Sequence, residues 1–500
     1  MARLVTSHYV CVDGRLVHYR RSGDGPPVVL LHASPRSSIA LVPLMQACPA
    51  DITVFAFDTP GCGYSAPLPL GRPDVPDYAH AFAATLDALG IQCAPTYGTH
   101  TGAAIALTFA ALYPERVSQL VLDGLSAFCA DERAAILAGY LPPFTPHVDG
   151  THLAWLWARV RDQYIFFPWN HRGAGARLRT AFPSALQLHE VALDLLAAGD
   201  NYRAPYTAAF SFIPQRWLPH LRVPTCIGAR HDDMLFGHLE RLGTLPPGVE
   251  LATFPDDRQA WATAIWRLLG KAEPCGSSHT NACIEAKLPA VAAGDAYVRA
   301  SSSRMHLRGT LGGTGKPLIV LHGSPGGARG MDRYIERACA QGRPVIAPDL
   351  PGHGDSDAID STGDTAFIDT AQAVHAAVTQ CGISAADVDG EGLGTWVAHA
   401  LQDLYPHLYT SARPRCASLE TVTVPGSLSV SADGAHLAAA WYHMRDEAIF
   451  GHWLDRQPSA QPAFGDSLDT ETIHRRTIEA LKEGPSAWRF RSGALRFASE

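Results

Sequence analysis

Apolar residues along this chain fall into two kinds of run, and the two kinds alternate. Short unbroken runs such as Pro27-Val28-Val29-Leu30-Leu31 suit a strand covered on both faces of a parallel sheet. Longer runs at helical spacing lie between them, near residues 39–46, 78–89 and 103–112. In order, the pattern predicts strands at residues 8–12, 15–19, 27–31, 52–57, 117–123, 223–228 and 250–254, with a closing helix at 260–269. Strand and helix in alternation predict a mostly parallel sheet with helices on both faces. Residues 131–219, rich in Trp, His and Arg, break that alternation and read as a helical insertion. Within it Leu153, Trp157, Val160 and Phe167 fall near one helical face, the spacing of core packing.

The pattern then repeats. Residues 272–295 mix Pro, Ser, Gly and Asn among alanines and read as a linker. Beyond them apolar runs return at 318–321 and 344–347. The insertion returns as well: Asp149, His152, Leu153, Trp157, Arg161, Asp162, Ile165 and Phe166 recur at one fixed offset as Asp433, His436, Leu437, Trp441, Arg445, Asp446, Ile449 and Phe450. This is a duplicated domain rather than a solenoid, whose periods are far shorter. The second copy ends without counterparts to the runs at 223–228 and 250–254, so its sheet is expected to be shortened. An open parallel edge invites pairing, which makes homo-oligomerisation through that edge an expectation.

Three turns carry the chemistry. They are His32-Ala33-Ser34-Pro35, then Asp58-Thr59-Pro60-Gly61-Cys62-Gly63-Tyr64-Ser65, then Gly98-Thr99-His100-Thr101-Gly102. In order and interval they resemble the α/β-hydrolase fold over residues 8–270, the last being its nucleophile elbow. There a strand turns sharply into a helix, and backbone passes too closely for side chains at the two glycines. The second copy shows His322-Gly323-Ser324-Pro325, Asp349-Leu350-Pro351-Gly352-His353-Gly354-Asp355-Ser356 and Gly390-Glu391-Gly392-Leu393-Gly394. The resemblance implies two α/β-hydrolase-like domains: residues 1–271, complete, with a lid at about 131–219, and residues 296–500, degenerate and shortened.

That resemblance also implies a nucleophile on the elbow, an acid after the sixth or seventh strand, a histidine after the eighth, and two backbone donors for an oxyanion. Here His100 stands in the nucleophile's place. The amides of Ala33 and Thr101 fill the donor positions. Asp232 or Asp233 fills the acid's place, with Asp123 the alternative, and Arg258 stands where the histidine is expected. His152, Trp157 and Arg161 are the lid residues able to face substrate. Shared packing also explains their recurrence, and Trp157 and Arg161 are spaced to stack on one helical face. In the second copy Gly392 offers no side chain to react.

Three readings stay open. His100 can serve as base or nucleophile in hydrolysis of an ester, amide or activated carbon–carbon bond of a small, largely apolar molecule. It can serve as base in a cofactor-independent lyase. Or the triad has decayed, leaving a ligand-binding or scaffolding protein. No cofactor or metal is implied.

Composition narrows the partners. A net charge of -8 disfavours nucleic acid and anionic membrane surfaces. No apolar run approaches the roughly 18 residues of a membrane span, and the amino terminus lacks the apolar core of a signal peptide. The 11 cysteines are scattered, which suits a reduced, cytoplasmic protein better than a disulfide framework. Cys275, His279 and Cys283 lie close together in the linker but lack a fourth ligand in register, so chance spacing is the preferred reading.

Overall fold

The computed structural model describes residues 4–178, 180–271, 294–300, 303–359, 365–411, 428–450 and 468–483. The chain divides into two compact units, Met1–Thr145 with Leu156–Glu285, and Pro146–Trp155 with Ala286–Glu500. Most of the expected linker, including Cys275, His279 and Cys283, lies outside the described residues.

The first unit begins with strands β1 (Thr6–Val12), β2 (Arg15–Ser22) and β3 (Pro27–Leu31), then α1 (Val42–Gln46), β4 (Thr53–Phe57) and α2 (Val75–Ala88). Next come β5 (Ala94–Thr99), α3 (Thr101–Leu112) and β6 (Val117–Asp123). The insertion supplies α4 (Ala130–Gly139), α5 (Thr151–Asp162), α6 (Ala185–Ala198) and α7 (Arg203–Ser211). The unit ends with β7 (Thr225–Arg230), β8 (Val249–Phe254) and α8 (Arg258–Leu269). The eight strands lie in the order β1-β2-β4-β3-β5-β6-β7-β8. β2 pairs antiparallel with β1 and β4, and the other pairings are parallel. Every residue of β3 is buried, as its unbroken apolar run requires. α3 is buried from Thr101 through Ala110, the mark of a helix enclosed on all sides. The helix predicted near 39–46 is a 3-10 turn over Ser38–Leu41 followed by α1, with Pro43 in the first turn of α1.

The second unit contains β9 (Gly294–Ala300), β10 (Ser303–Thr310), β11 (Leu318–Leu321), α9 (Asp332–Ala340), β12 (Val345–Pro348) and α10 (Ala366–Gln380). They are followed by β13 (Ala386–Gly390), α11 (Gly394–Leu404), β14 (Tyr409–Ser411), α12 (Ala435–Phe450) and α13 (Thr470–Leu481). Among the described residues its strands lie in the order β14-β13-β11-β12-β10-β9, which follows the first unit's order as far as the counterpart of β6. β14 is the outermost of these strands on that side among the described residues.

Among the described residues seven cysteines are free and Cys93 is disulfide-bonded, so these cysteines are not uniformly reduced as expected. Among the described residues no helix is long and apolar enough to cross a membrane.

Candidate active site

The elbow forms because β5 must pass directly into α3. A Cβ on Gly98 would lie 2.3 Å from the Gly102 carbonyl oxygen, and one on Gly102 would lie 2.3 Å from that of Leu31. Only glycine tolerates such approaches. The turn forces His100 to φ 50, ψ -109, an uncommon conformation for a residue bearing a Cβ. Its backbone N–H donates to the Asp123 carbonyl at 2.9 Å, anchoring the apex to the end of β6.

The His100 ring meets Asp233, in the loop after β7. Nε2 lies 2.8 Å from Asp233 Oδ2. The Asp233 Oδ1 atom accepts the Leu235 N–H at 2.8 Å, which sets the carboxylate's direction. Gly124 clears the space: a Cβ there would lie 2.5 Å from His100 Cδ2. Burial pulls the His100 pKa down, but the charge and hydrogen bond of Asp233, with the charge of Asp123, outweigh it and leave the pKa raised. Burial pushes Asp233 up, and the His100 charge and hydrogen bond more than reverse this, so its pKa is lowered. Nε2–H therefore points at the carboxylate, and Nδ1, without a hydrogen-bond partner among the described residues, carries the basic lone pair.

Asp123 plays another part. Its Oδ2 accepts the Tyr97 hydroxyl and the Trp261 indole N–H, each at 2.9 Å. Burial first and the Asp233 charge second push its pKa up to about 6. Asp232 turns instead to Arg230, whose Nε is 3.0 Å from Oδ1. Arg258 is exposed at the first residue of α8; the residue of that helix which reaches the cluster is Trp261, one turn on. The expected His–Arg–Asp arrangement is thus replaced by His100–Asp233, with Asp123, Tyr97 and Trp261 beside it. Helical periodicity carried no sign of the Trp261 contact, because it joins segments 138 residues apart.

The donor side is built by a second histidine. Burial lowers the His32 pKa, leaving a neutral ring. Nδ1–H donates to the Ala33 carbonyl at 2.9 Å and Nε2 accepts the Thr59 N–H at 2.9 Å. That fixes the turn bearing the Ala33 amide. Ser34 N–H donates to Thr101 Oγ1 at 3.3 Å, tying this turn to the start of α3. The Thr101 amide is free of intrahelical partners because it opens the helix. The lid is latched to the same turn by Asp194 of α6, which accepts Arg36 Nε at 2.6 Å and the Ser37 hydroxyl at 2.5 Å.

Of the predicted lid residues, His152 falls in the second unit. Its Nδ1 accepts the His147 N–H at 3.1 Å, and its ring packs on Trp441 and His474 with centroids 4.7 and 5.3 Å away. Trp157 is buried, and Arg161 lies over the Phe182 ring, 5.1 Å from its centroid. Phe167 lies beyond the end of α5 and keeps some exposure.

The second elbow keeps the backbone and lacks the chemistry. Gly392 adopts φ 50, the same value as His100. Its neighbour Glu391 pairs with Arg476 at 3.0 Å, and Arg476 also reaches Glu447 at 3.4 Å. His322 repeats the His32 arrangement, with Nδ1 2.6 Å from the Gly323 carbonyl and Nε2 2.9 Å from the Leu350 amide. His306, Asp349 and Asp355 bring ligand-type atoms within 4.8 Å of one another. Burial alone would lower the His306 pKa, but Asp349 and Asp295 raise it to about 9. Both its ring nitrogens face carboxylates, and Lys482 lies 3.3 Å from Asp355, so the trio is a salt-bridge cluster already supplied with cations.

The family model described as alpha/beta hydrolase fold matches residues 26–159 and again 316–424. A cis-3-alkyl-4-alkyloxetan-2-one decarboxylase from Shewanella oneidensis is 31% identical over 129 residues, which is 24% of this chain and 39% of that one. A 2-hydroxy-6-oxo-6-phenylhexa-2,4-dienoate hydrolase from Comamonas testosteroni is 31% identical over 116 residues, 22% of this chain and 40% of that one. The chain therefore spans well under half the length of these two curated relatives. Among solved structures, epoxide hydrolase A from Mycobacterium thermoresistibile aligns at 17% identity over 54% of this chain and 100% of its own, with a TM-score of 0.43.

Proposed function

This chain is an α/β-hydrolase-fold protein with the fold present in two units, and we propose that the first unit is a hydrolase centred on His100. The observation that carries the reading is the 2.8 Å contact between His100 Nε2 and Asp233 Oδ2 at the elbow's apex. A carboxylate there holds the tautomer in which Nδ1 is the base. In the proposed reaction Nδ1 takes a proton from water as the water oxygen attacks the carbonyl of an ester, amide or activated ketone. The amides of Thr101 and Ala33 receive the oxyanion. Collapse breaks the bond to the leaving group, which takes the proton back from the imidazolium. Asp123 adds negative charge that favours the imidazolium.

Decay of the site would leave His100 without a carboxylate or opposed by a guanidinium; Asp233 and the exposed Arg258 speak against it. The second unit reads as non-catalytic, because Gly392 has no reacting group and Glu391 is engaged by Arg476. A lyase using the same base remains the rival reaction.

The test is hydrolysis of activated esters by wild type, His100→Ala and His100→Ser. Loss of activity in His100→Ala supports the reading, and equal rates in wild type and His100→Ala remove His100 from the mechanism. Release of product without uptake of labelled water oxygen would instead identify a lyase.

A further inference from the structure

The lid of the first unit holds a buried cation that the surrounding protein leaves incompletely paired. Arg159 of α5 is 1% exposed. Its guanidinium carbon lies 4.4 Å from the centroid of Trp169 and 5.3 Å from that of Tyr140. Nη1 donates to Gln163 Oε1 at 2.8 Å. Nε and Nη2, on the other edge, have no hydrogen-bond partner, and no carboxylate pairs with the group among the described residues. Stacking on two rings offsets part of the desolvation of a buried charge, but it leaves the N–H edge unsatisfied. A guanidinium edge with two free N–H groups matches the two oxygens of a carboxylate.

The surroundings supply the rest of a site. The Tyr140 and Tyr206 hydroxyls are 3.3 Å apart, and the Tyr206 ring stacks on Phe210. Phe128 lies against Phe167, Phe210 and His238, with centroids 6.3, 5.6 and 4.7 Å away. Phe128 closes the segment that leaves β6 at Asp123, the residue anchoring the His100 backbone. Phe167 and Tyr206 keep accessible surface. A chain of packed rings, Phe128 to Phe210 to Tyr140, therefore connects the elbow's segment to Arg159.

The second copy shows what this face of the lid does when it meets a charge. At the fixed offset Arg159 corresponds to His443 and Gln163 to Glu447, and these two also touch, at 3.2 Å. There Arg476 bridges Glu447 to Glu391 of the elbow. The first copy has Val191 in place of Arg476, when His189 is aligned with His474, and Thr99 in place of Glu391. The second unit thus completes its charge pairing between lid and elbow internally, and the first lacks both partners.

We propose that Arg159 binds the carboxylate of an acid whose apolar body lies along Phe128, Phe167 and Phe210. This rests on the hydrolase reading only in making that acid a substrate or product of His100. The test is equilibrium binding, by isothermal titration, of benzoate, phenylacetate and 3-phenylpropanoate against their amides. At least one acid is expected to bind wild type about tenfold or more tightly than its amide, with the preference lost in Arg159→Met and Arg159→Gln. In wild-type protein the Arg159 Nε–H resonance is expected to shift with the acid and not the amide, a readout that survives misfolding of either variant. No preference for any acid, an unchanged preference in the variants, or an unmoved resonance would overturn the proposal. Repeating the titration with His100→Ala separates the two readings: acid binding persists there whether or not ester hydrolysis does.

Discussion

His100 Nε2 and Asp233 Oδ2 stand 2.8 Å apart although 133 residues separate them in sequence. Asp233 raises the His100 pKa, so the base is expected to work with a midpoint above the 6.5 of a free imidazole. Replacing Asp233 by Asn removes that charge. The rate on an activated ester is expected to fall by about 10²-fold or more, and the midpoint of its pH profile to move down. An unchanged midpoint would separate Asp233 from the chemistry. The same pair bears on stability. The His100 contribution is complete below its unfolded value of 6.5 and is lost as pH rises through its higher folded value. The Asp233 contribution is present above 3.8 and is lost as pH falls through its depressed folded value. Urea titrations of wild type and Asp233→Asn should therefore differ most between those two limits.

Asp123 shows the opposite sign. Its folded pKa of about 6 lies above the ordinary 3.8, so its ionisation in the fold is penalised as pH rises between those values. Asn at this position still accepts from Tyr97 and Trp261 through its side-chain oxygen. Asp123→Asn is expected to be more stable than wild type by about 1–3 kcal/mol at pH 8 and no different at pH 3.5. It should also lower the His100 midpoint, because one negative neighbour is gone.

Gly98→Ala places a methyl 2.3 Å from the Gly102 oxygen. Strand β5 and helix α3 would have to separate, at a cost of about 1–3 kcal/mol or more. Gly71→Ala meets nothing within 4 Å and is expected to change stability by less than about 0.5 kcal/mol. Thermal unfolding of the two variants tests this contrast.

Arg476→Met in the second unit would remove the cation that Glu391 and Glu447 share in a largely buried setting. The expected loss is about 3–5 kcal/mol, read from urea unfolding. Ester hydrolysis per folded molecule should be unchanged, because the second elbow carries no reacting group.

Much of the first sheet was legible from local pattern. The predicted strand at 27–31 coincides with β3, and that at 117–123 with β6, because a strand covered on both faces needs an unbroken apolar run. The elbow was legible for a different reason: its two glycines record close backbone contacts. The lid was not. His152 and Arg161 carry chemistry that suits a pocket; the first packs in the second unit, and the second lies over Phe182, with which it lines a cavity away from His100 and Asp233. Helical spacing assigns a face to a residue and cannot say what that face meets. Arg159, one of two arginines in α5, gave no signal, since its burial depends on Trp169 and Tyr140 arriving from other segments.

By itself the sequence determined the alternation that builds each sheet, the duplication, and His100 at the apex of the elbow. These follow from periodicity and from glycine, which act within a few residues. Only the tertiary structure decided between Asp232 and Asp233, set Arg258 in solvent, brought Trp261 to Asp123 and left the Arg159 edge bare. Neighbouring aspartates are alike in sequence; a turn of the backbone sends one carboxylate to His100 and the other to Arg230, and hydrogen bonds between distant segments exist only once the strands between them have paired.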